Sequence, residues 1–254
     1  MPMQISISNA IGGGGGNLGS GGGSSFTNTK SILLDGVDDF VDCGDADNLS
    51  FGDGSNDSPF SISAWVKMSD EVRFRIVSKK RLLEEYYFGT TGGGGVFLAL
   101  YDESTGGRLM RYGASLNAYL NTWIHLAVTY DGSSSSSGIK GYLNGSLITL
   151  WFSADSGSYT AMENTSQPFE IGKEGTYYSD GNIDEVAVFN SELSASDVTA
   201  IYNGGVPNDL SSLSPLSWWR CGDGDTSPTL TDNGSAGNNG TMTNFSTFST
   251  DVPT

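Results

Sequence analysis

Asp35, Asp38, Asp39 and Asp42 fall in one predicted turn region. Calcium takes about six to eight oxygens from carboxylates and carbonyls, and loops at the rim of a β-structure can supply them. The cluster is a candidate for one bound calcium, although Asp residues also build turns through their own side chains, with no ion needed. No EF-hand loop is present, because Asp45-Ala-Asp-Asn-Leu lacks the Gly and the closing Glu. A second chemistry is sugar stacking. Tyr177, Tyr178, Trp151 and Tyr159 lie in or beside predicted loops, where an aromatic face can carry a sugar ring and nearby Asn and Asp can bond its hydroxyls. Core packing is the competing use of each of these aromatics.

Catalysis is not expected. Glycoside hydrolysis needs two carboxylates flanking one bond. Glu84-Glu85 and Asp184-Glu185 are adjacent pairs, and neighbours on a strand point to opposite faces. His125 is the only histidine, so no Ser-His-Asp set can be built around a second. Cys43 and Cys221 make no disulfide framework and are expected as two buried reduced thiols.

The formal net charge is −17, with only 12 Lys and Arg. A phosphate backbone is repelled, so nucleic acid is not an expected partner. Acidity suits solubility, a cation or a basic partner. No apolar run of about 18 residues exists, so no membrane span is expected. Met1–Ser8 has neither a basic region nor a long apolar one and does not read as a Sec-type signal peptide. The expectation is synthesis and retention in a cytoplasm until assembly or lysis.

The elements that must position these residues are strands. Residues 1–30 read as an arm ending in a Gly-rich linker. Gly12–Gly16 and Gly21–Gly23 cannot bury enough apolar surface to offset backbone entropy. That run lacks the Gly-Lys-Ser/Thr of a phosphate-binding loop. From Ser31 on, short strands alternate with turns. In 60–67, Phe60, Ile62, Ala64 and Val66 share one face; in 123–130, Ile124, Leu126, Val128 and Tyr130 do. Further strands are expected at 31–35, 37–41, 75–78, 86–88, 96–101 and 108–112. Asn144-Gly145 predicts a type I′ hairpin turn. Residues 183–189 are apolar on both faces, as in a central strand. One helix is expected after Ser194, capped through Asp197, with Val198, Ile201 and Tyr202 on its apolar face and Asn203-Gly204-Gly205 as its stop.

Taken in order, Leu34–Val41, Phe60–Lys67, Trp123–Gly132, Tyr142–Gly145, Gly181–Phe189 and Leu193–Tyr202 resemble the motifs of the laminin-G-like jelly rolls of the concanavalin A-like lectin/glucanase superfamily. The resemblance covers about 31–205 and implies an all-β fold: a two-sheet antiparallel β-sandwich with one short helix. It implies a structural role for His125, and a structural cation between the opening strand and Asp184. The calcium set is then Asp35, Asp38 and Asp184. Residues 206–254 contain Leu216–Asp225 and Leu230–Asn244, which resemble the segment that usually opens such domains. Here they would pack on the chain's own sandwich or on a neighbouring copy. The Trp218–Asp223 stretch and the leading Ile-Ser-Asn-Ala-Ile-Gly-Gly also look like particle proteins of marine tailed phages. The expected function is a non-enzymatic virion protein, a capsid decoration or tail-associated part, that displays a lectin-like sandwich. Its expected partners are other virion proteins, copies of itself and surface glycans. The alternative is a carbohydrate-binding module of a bacterial adhesin. A degenerate glycosidase is the third and weakest reading.

Overall fold

The computed structural model describes residues 26–254 except Glu71, Val72 and Arg81. The Gly-rich run Gly12–Gly23 lies outside the described residues. In chain order the strands are β1 (Ser31–Asp35), β2 (Phe40–Asp42), β3 (Phe60–Met68), β4 (Arg75–Lys80), β5 (Glu84–Thr90), β6 (Gly95–Asp102), β7 (Gly107–Ser115), β8 (Ile124–Tyr130), β9 (Ile139–Leu143) and β10 (Ser146–Ile148). Then come β11 (Phe152–Ser153), β12 (Glu170–Ile171), the hairpin of β13 (Lys173–Glu174) and β14 (Tyr177–Tyr178), and the long β15 (Asp180–Phe189). Helix α1 (Ala195–Tyr202) follows, and β16 (Ser217–Trp219), β17 (Thr229–Leu230), β18 (Gly240–Thr243) and β19 (Phe248–Ser249) complete the set.

Two antiparallel sheets face each other. The first runs β10-β9-β8-β3-β15-β1-β19, with β16 also on β15; the second runs β11-β7-β6-β5-β4-β12-β2-β18-β17. The expected alternation places Phe60, Ile62, Ala64, Val66 and Ile124, Leu126, Val128, Tyr130 in the shared core. From the second sheet Ile76, Tyr86, Phe88, Val96, Leu98 and Leu100 meet them. β1 and β2 sit in different sheets, so the Asp35–Asp39 turn is a crossover at the sandwich rim.

Local chemistry sets the details. Asn144 and Gly145 adopt φ of 49° and 74°, as a type I′ turn requires, and Leu143 pairs with Ser146. A Cβ on Gly145 would lie 2.9 Å from the Tyr202 ring as well as at positive φ. Gly145→Ala is therefore expected to cost about 1–3 kcal/mol. A denaturation midpoint equal to wild type would refute that. Helix α1 carries the capping box: Ser194 Oγ accepts from the Asp197 amide and Asp197 accepts from the Ser194 amide. Asn203, at φ 48°, ends it.

The outer faces of the two sheets differ, and this positions the site. The first sheet's outer face is covered. Val198, Ile201, Leu193, Leu210 and Trp218 pack over Ala127, Tyr142, Ala187 and Phe189. Phe26 stacks on Trp218 at 6.1 Å. Residues 26–30, read from sequence as arm, instead bind the sandwich: Asn28 Nδ2 donates to Asp184 and the Thr29 amide to Asp223, both at 2.8 Å. The C-terminal strands join both sheets of their own chain. β16 extends along β15, β19 along β1 and β18 along β2. Trp219 is buried in the core and stacks on Phe169 at 5.3 Å. No helix among the described residues is long and apolar enough to cross a membrane.

Candidate functional site

The second sheet's outer face is left open by the helix and carries an aromatic floor. Strand register builds it. Phe97 lies opposite Tyr112, which lies opposite Phe152; Tyr87 lies opposite Ala99, which lies opposite Met110; Tyr101 lies opposite Arg108. Tyr87, Phe97 and Ala99, with Tyr101, Met110 and Tyr112 packed against them, form a cluster separate from the core. Tyr87 and Phe97 meet edge to face at 4.9 Å, and Tyr87 and Tyr101 stack at 5.8 Å and share a hydroxyl hydrogen bond of 3.1 Å.

A groove of about 470 Å³ runs over this floor. Tyr177, on the β13–β14 hairpin, and Thr91-Gly92, between β5 and β6, form part of its rim. Its cations are Arg73, Arg75, Lys80 and Arg108, and its acids Glu84 and Glu174. Arg75 is buried; its Nε meets Glu174 at 3.1 Å and NH1 donates to the Thr90 carbonyl at 2.7 Å. Lys80 Nζ bridges Glu84 (2.9 Å) and Glu174 (3.1 Å) and lies 4.7 Å over Tyr87. The Arg73 guanidinium sits 4.4 Å over the Tyr177 ring. Burial raises the Tyr101 phenol well above its ordinary range, so it stays a neutral donor and acceptor. An aromatic floor with charged donors around it can take a ring-shaped polar ligand.

Of the four aromatics singled out from sequence, Tyr177 alone lines this groove. It is 43% exposed. Tyr178 turns to Phe40 and Lys173. Trp151 is 68% exposed but directly precedes β11 at the edge of the second sheet, beside Phe152, and does not line the groove. Tyr159 packs against the core and donates its hydroxyl to Asp57 at 2.8 Å. Tyr87, Phe97, Tyr101 and the four cations escaped the sequence reading. One signal was available: 96–101 is apolar at every position, so its outward side chains Phe97, Ala99 and Tyr101 needed a cover or a ligand.

The calcium set does not assemble as expected. Carboxylate oxygens of Asp35, Asp38 and Asp39 lie within 4.8 Å of one another, without Asp184. Asp35 accepts from the Val37 and Asp38 amides, and Asp39 accepts from the Asp35 amide, so the cluster also satisfies its own turn. β1 pairs with β15 so that Asp35 faces Asp180. Asp184 is four residues further along, about 13 Å away at strand rise.

Asp184 and Glu185 are not split between faces. A register slip after Asp184 and a φ of 48° at Glu185 form a bulge that leaves both carboxylates buried, 0% and 3% exposed. Asp184 accepts from Asn28 and from the Glu185 amide; Glu185 accepts from Trp218 Nε1 (2.6 Å) and Arg220 Nε (3.2 Å). Burial, then repulsion from Glu185, raises the Asp184 carboxyl; burial brings Glu185 to about 7 against the pull of Arg220. A substrate cannot reach either. Glu84 and Glu85 do part: Glu84 faces the groove, and Glu85 is buried with Lys79.

His125 is buried, with Nε2 2.8 Å from Ser63 Oγ and its ring 5.4 Å from Trp65. Burial lowers it to about 3, so the imidazole is neutral and serves packing. Cys43 and Cys221 are unbonded buried thiols, raised by burial.

No curated protein matches the chain. Among solved structures, a Bacteroides ovatus protein provisionally described as carbohydrate-binding is similar at 20% identity and TM-score 0.60, over 90% of this chain and 62% of its own. The chain thus spans under two thirds of that protein. More remote in outline is the CBM40 of Ruminococcus gnavus IT-sialidase, seen with α2,3-sialyllactose (17% identity, 69% of this chain, 97% of that one, TM-score 0.46). Domains LG4-5 of mouse laminin α1 are similarly remote (10%, 67% and 44%, TM-score 0.45). Residues 36–199 match the Laminin_G_3 model of the concanavalin A-like lectin/glucanases superfamily, and with its paired sheets and capped helix the chain belongs to that family.

Proposed function

We propose that the protein is a non-catalytic saccharide-binding module and that the groove over β4–β7 is its binding site. The observation that carries this reading is the groove over Tyr87, Phe97 and Tyr101, where Arg75 and Lys80 lie across the rings and the exposed Tyr177 ring forms part of the rim, on the sheet face that the helix leaves bare. The provisional description of the Bacteroides ovatus protein supports the same reading. The adjacent carboxylate pairs support the non-catalytic reading. Asp184 and Glu185 are buried, and Glu84 is engaged by Lys80.

A glycan array probed with the full chain tests the proposal. Tyr177→Ala removes an exposed ring that supports no core contact, so folding is retained. The loss of one stacking face, worth about 1–1.5 kcal/mol, lowers affinity for any bound glycan by roughly tenfold. Equal binding by the variant would place the ligand elsewhere.

Display on a phage particle is the second part of the proposal. It rests on the sequence resemblance alone. An antibody to 31–205 should then label purified particles in stoichiometric amount. Signal on cell surfaces alone would favour the adhesin.

A further inference from the structure

We infer that the groove selects an acidic saccharide, one bearing carboxylate or sulfate groups, over a neutral one; this rests on reading the groove as the saccharide site. The charge distribution carries the argument. The chain has a net charge of −17 and 12 Lys and Arg in all, yet four of them line this one groove. Its two carboxylates are already engaged. Glu174 holds Arg75 and Lys80, and Glu84 holds Lys80. Among the described residues, Arg73 and Arg108 form no ion pair with a carboxylate. Arg73 lies on the Tyr177 ring, and Arg108 donates through Nε and NH2 to the Ala154 carbonyl at 3.2 and 2.9 Å.

The groove therefore carries excess positive charge inside an acidic molecule. Arg73 also lies close enough to Arg75 to repel its charge, and a bound anion would relieve that repulsion. A guanidinium presents a planar fork of donors that matches carboxylate or sulfate oxygens. The exposed Tyr177 ring beside it offers a face to the sugar, so both halves of an acidic sugar find a partner. At physiological salt the Debye length is about 8 Å, so a ligand in the groove meets the local cations rather than the net charge. The same net charge opposes non-specific polyanion binding on the rest of the surface.

The test measures affinities of the full chain at 50 and 300 mM NaCl, values chosen at roughly low and high screening, for three probes: oligogalacturonates, sulfated galactan oligomers and neutral agaro-oligosaccharides. At least one acidic set is expected to bind about tenfold more tightly than the neutral set and to weaken several-fold at high salt. The two acidic sets tell carboxylate from sulfate. Arg73→Gln combined with Arg108→Gln should abolish the preference, and Arg73→Gln alone should reduce it if the double variant fails to fold. Neutral oligomers binding as tightly would overturn the inference and leave the saccharide reading intact. A preference that survives in folded variants, or equal affinity for single-stranded DNA, would also overturn it. Failure of every saccharide would sink both.

Discussion

Trp219→Ala is expected to lower the unfolding free energy by about 3–5 kcal/mol. The ring is fully buried between the sheets, stacks on Phe169 and donates Nε1–H to the Asn238 carbonyl at 2.8 Å. Truncation empties a large volume and strands that carbonyl. It also loosens β16, whose pairing with β15 ties the C-terminal segment to the centre of the first sheet. That is a large fraction of the roughly 5–15 kcal/mol that holds a native protein folded, so the variant should unfold at a markedly lower denaturant midpoint. A chain ending at residue 205 should not fold, since β15, β1 and β2 would each lose a paired strand. Equilibrium denaturation of the variant checks the claim, and a loss under about 1 kcal/mol would mean that the C-terminal segment is dispensable.

The second large effect is on pH dependence. Glu185 has its carboxyl raised to about 7, and Asp184 is raised as well. An acid that holds its proton more tightly when folded favours the folded state at low pH. That stability falls as pH rises from the unfolded value, about 4.5, through the folded one. The Glu185 shift is equivalent to about 3–3.5 kcal/mol as an upper bound. His125 has the opposite sign. Lowered to about 3, it favours unfolding as pH falls below its ordinary value near 6.5. The two trends oppose each other between about pH 4.5 and 6.5, and above that window the carboxylates act alone.

Wild type should therefore be less stable at pH 8.5 than at pH 6, and Asp184→Asn should flatten that slope. The replacement fits. The oxygen of the introduced side-chain amide keeps the bond from the Glu185 backbone N–H. Its nitrogen can donate to Asn28 Oδ1, which is buried and has no partner among the described residues, once the Asn28 amide turns over. Thermal unfolding of both chains across pH 5–9, with and without a chelator, is the measurement. A variant much less stable at pH 8.5, matched by wild type in chelator, would instead make Asp184 a cation ligand, as the family resemblance implied.

The framework was legible because its signals are local. Alternation in 60–66 and 124–130, the Asn144-Gly145 turn and the Ser194–Asp197 cap each depend on a few neighbouring residues, and each appears as read. The site was not legible. Tyr87, Phe97, Tyr101 and Tyr177 come together through the registers of separate strands and a hairpin, which no single stretch encodes. The bulge at Glu185 overrode the alternation that parts Asp184 from Glu185 on paper. The grouping of Asp35 with Asp184 was not legible either, since Asp180 is the residue that faces Asp35 across the sheet. Residues 26–30 read as the end of the arm that the Gly-rich runs define, yet Phe26 finds Trp218 and Arg220 across the fold.

A crystal structure with the best-binding oligosaccharide tests the central claim most directly. The account predicts an ordered sugar ring against Tyr177 or Tyr101, with hydrogen bonds from the arginines that ring the groove. A sugar seated instead on Trp151 and Phe152 at the sheet edge, or on Asp35, Asp38 and Asp39 through a cation, would contradict it.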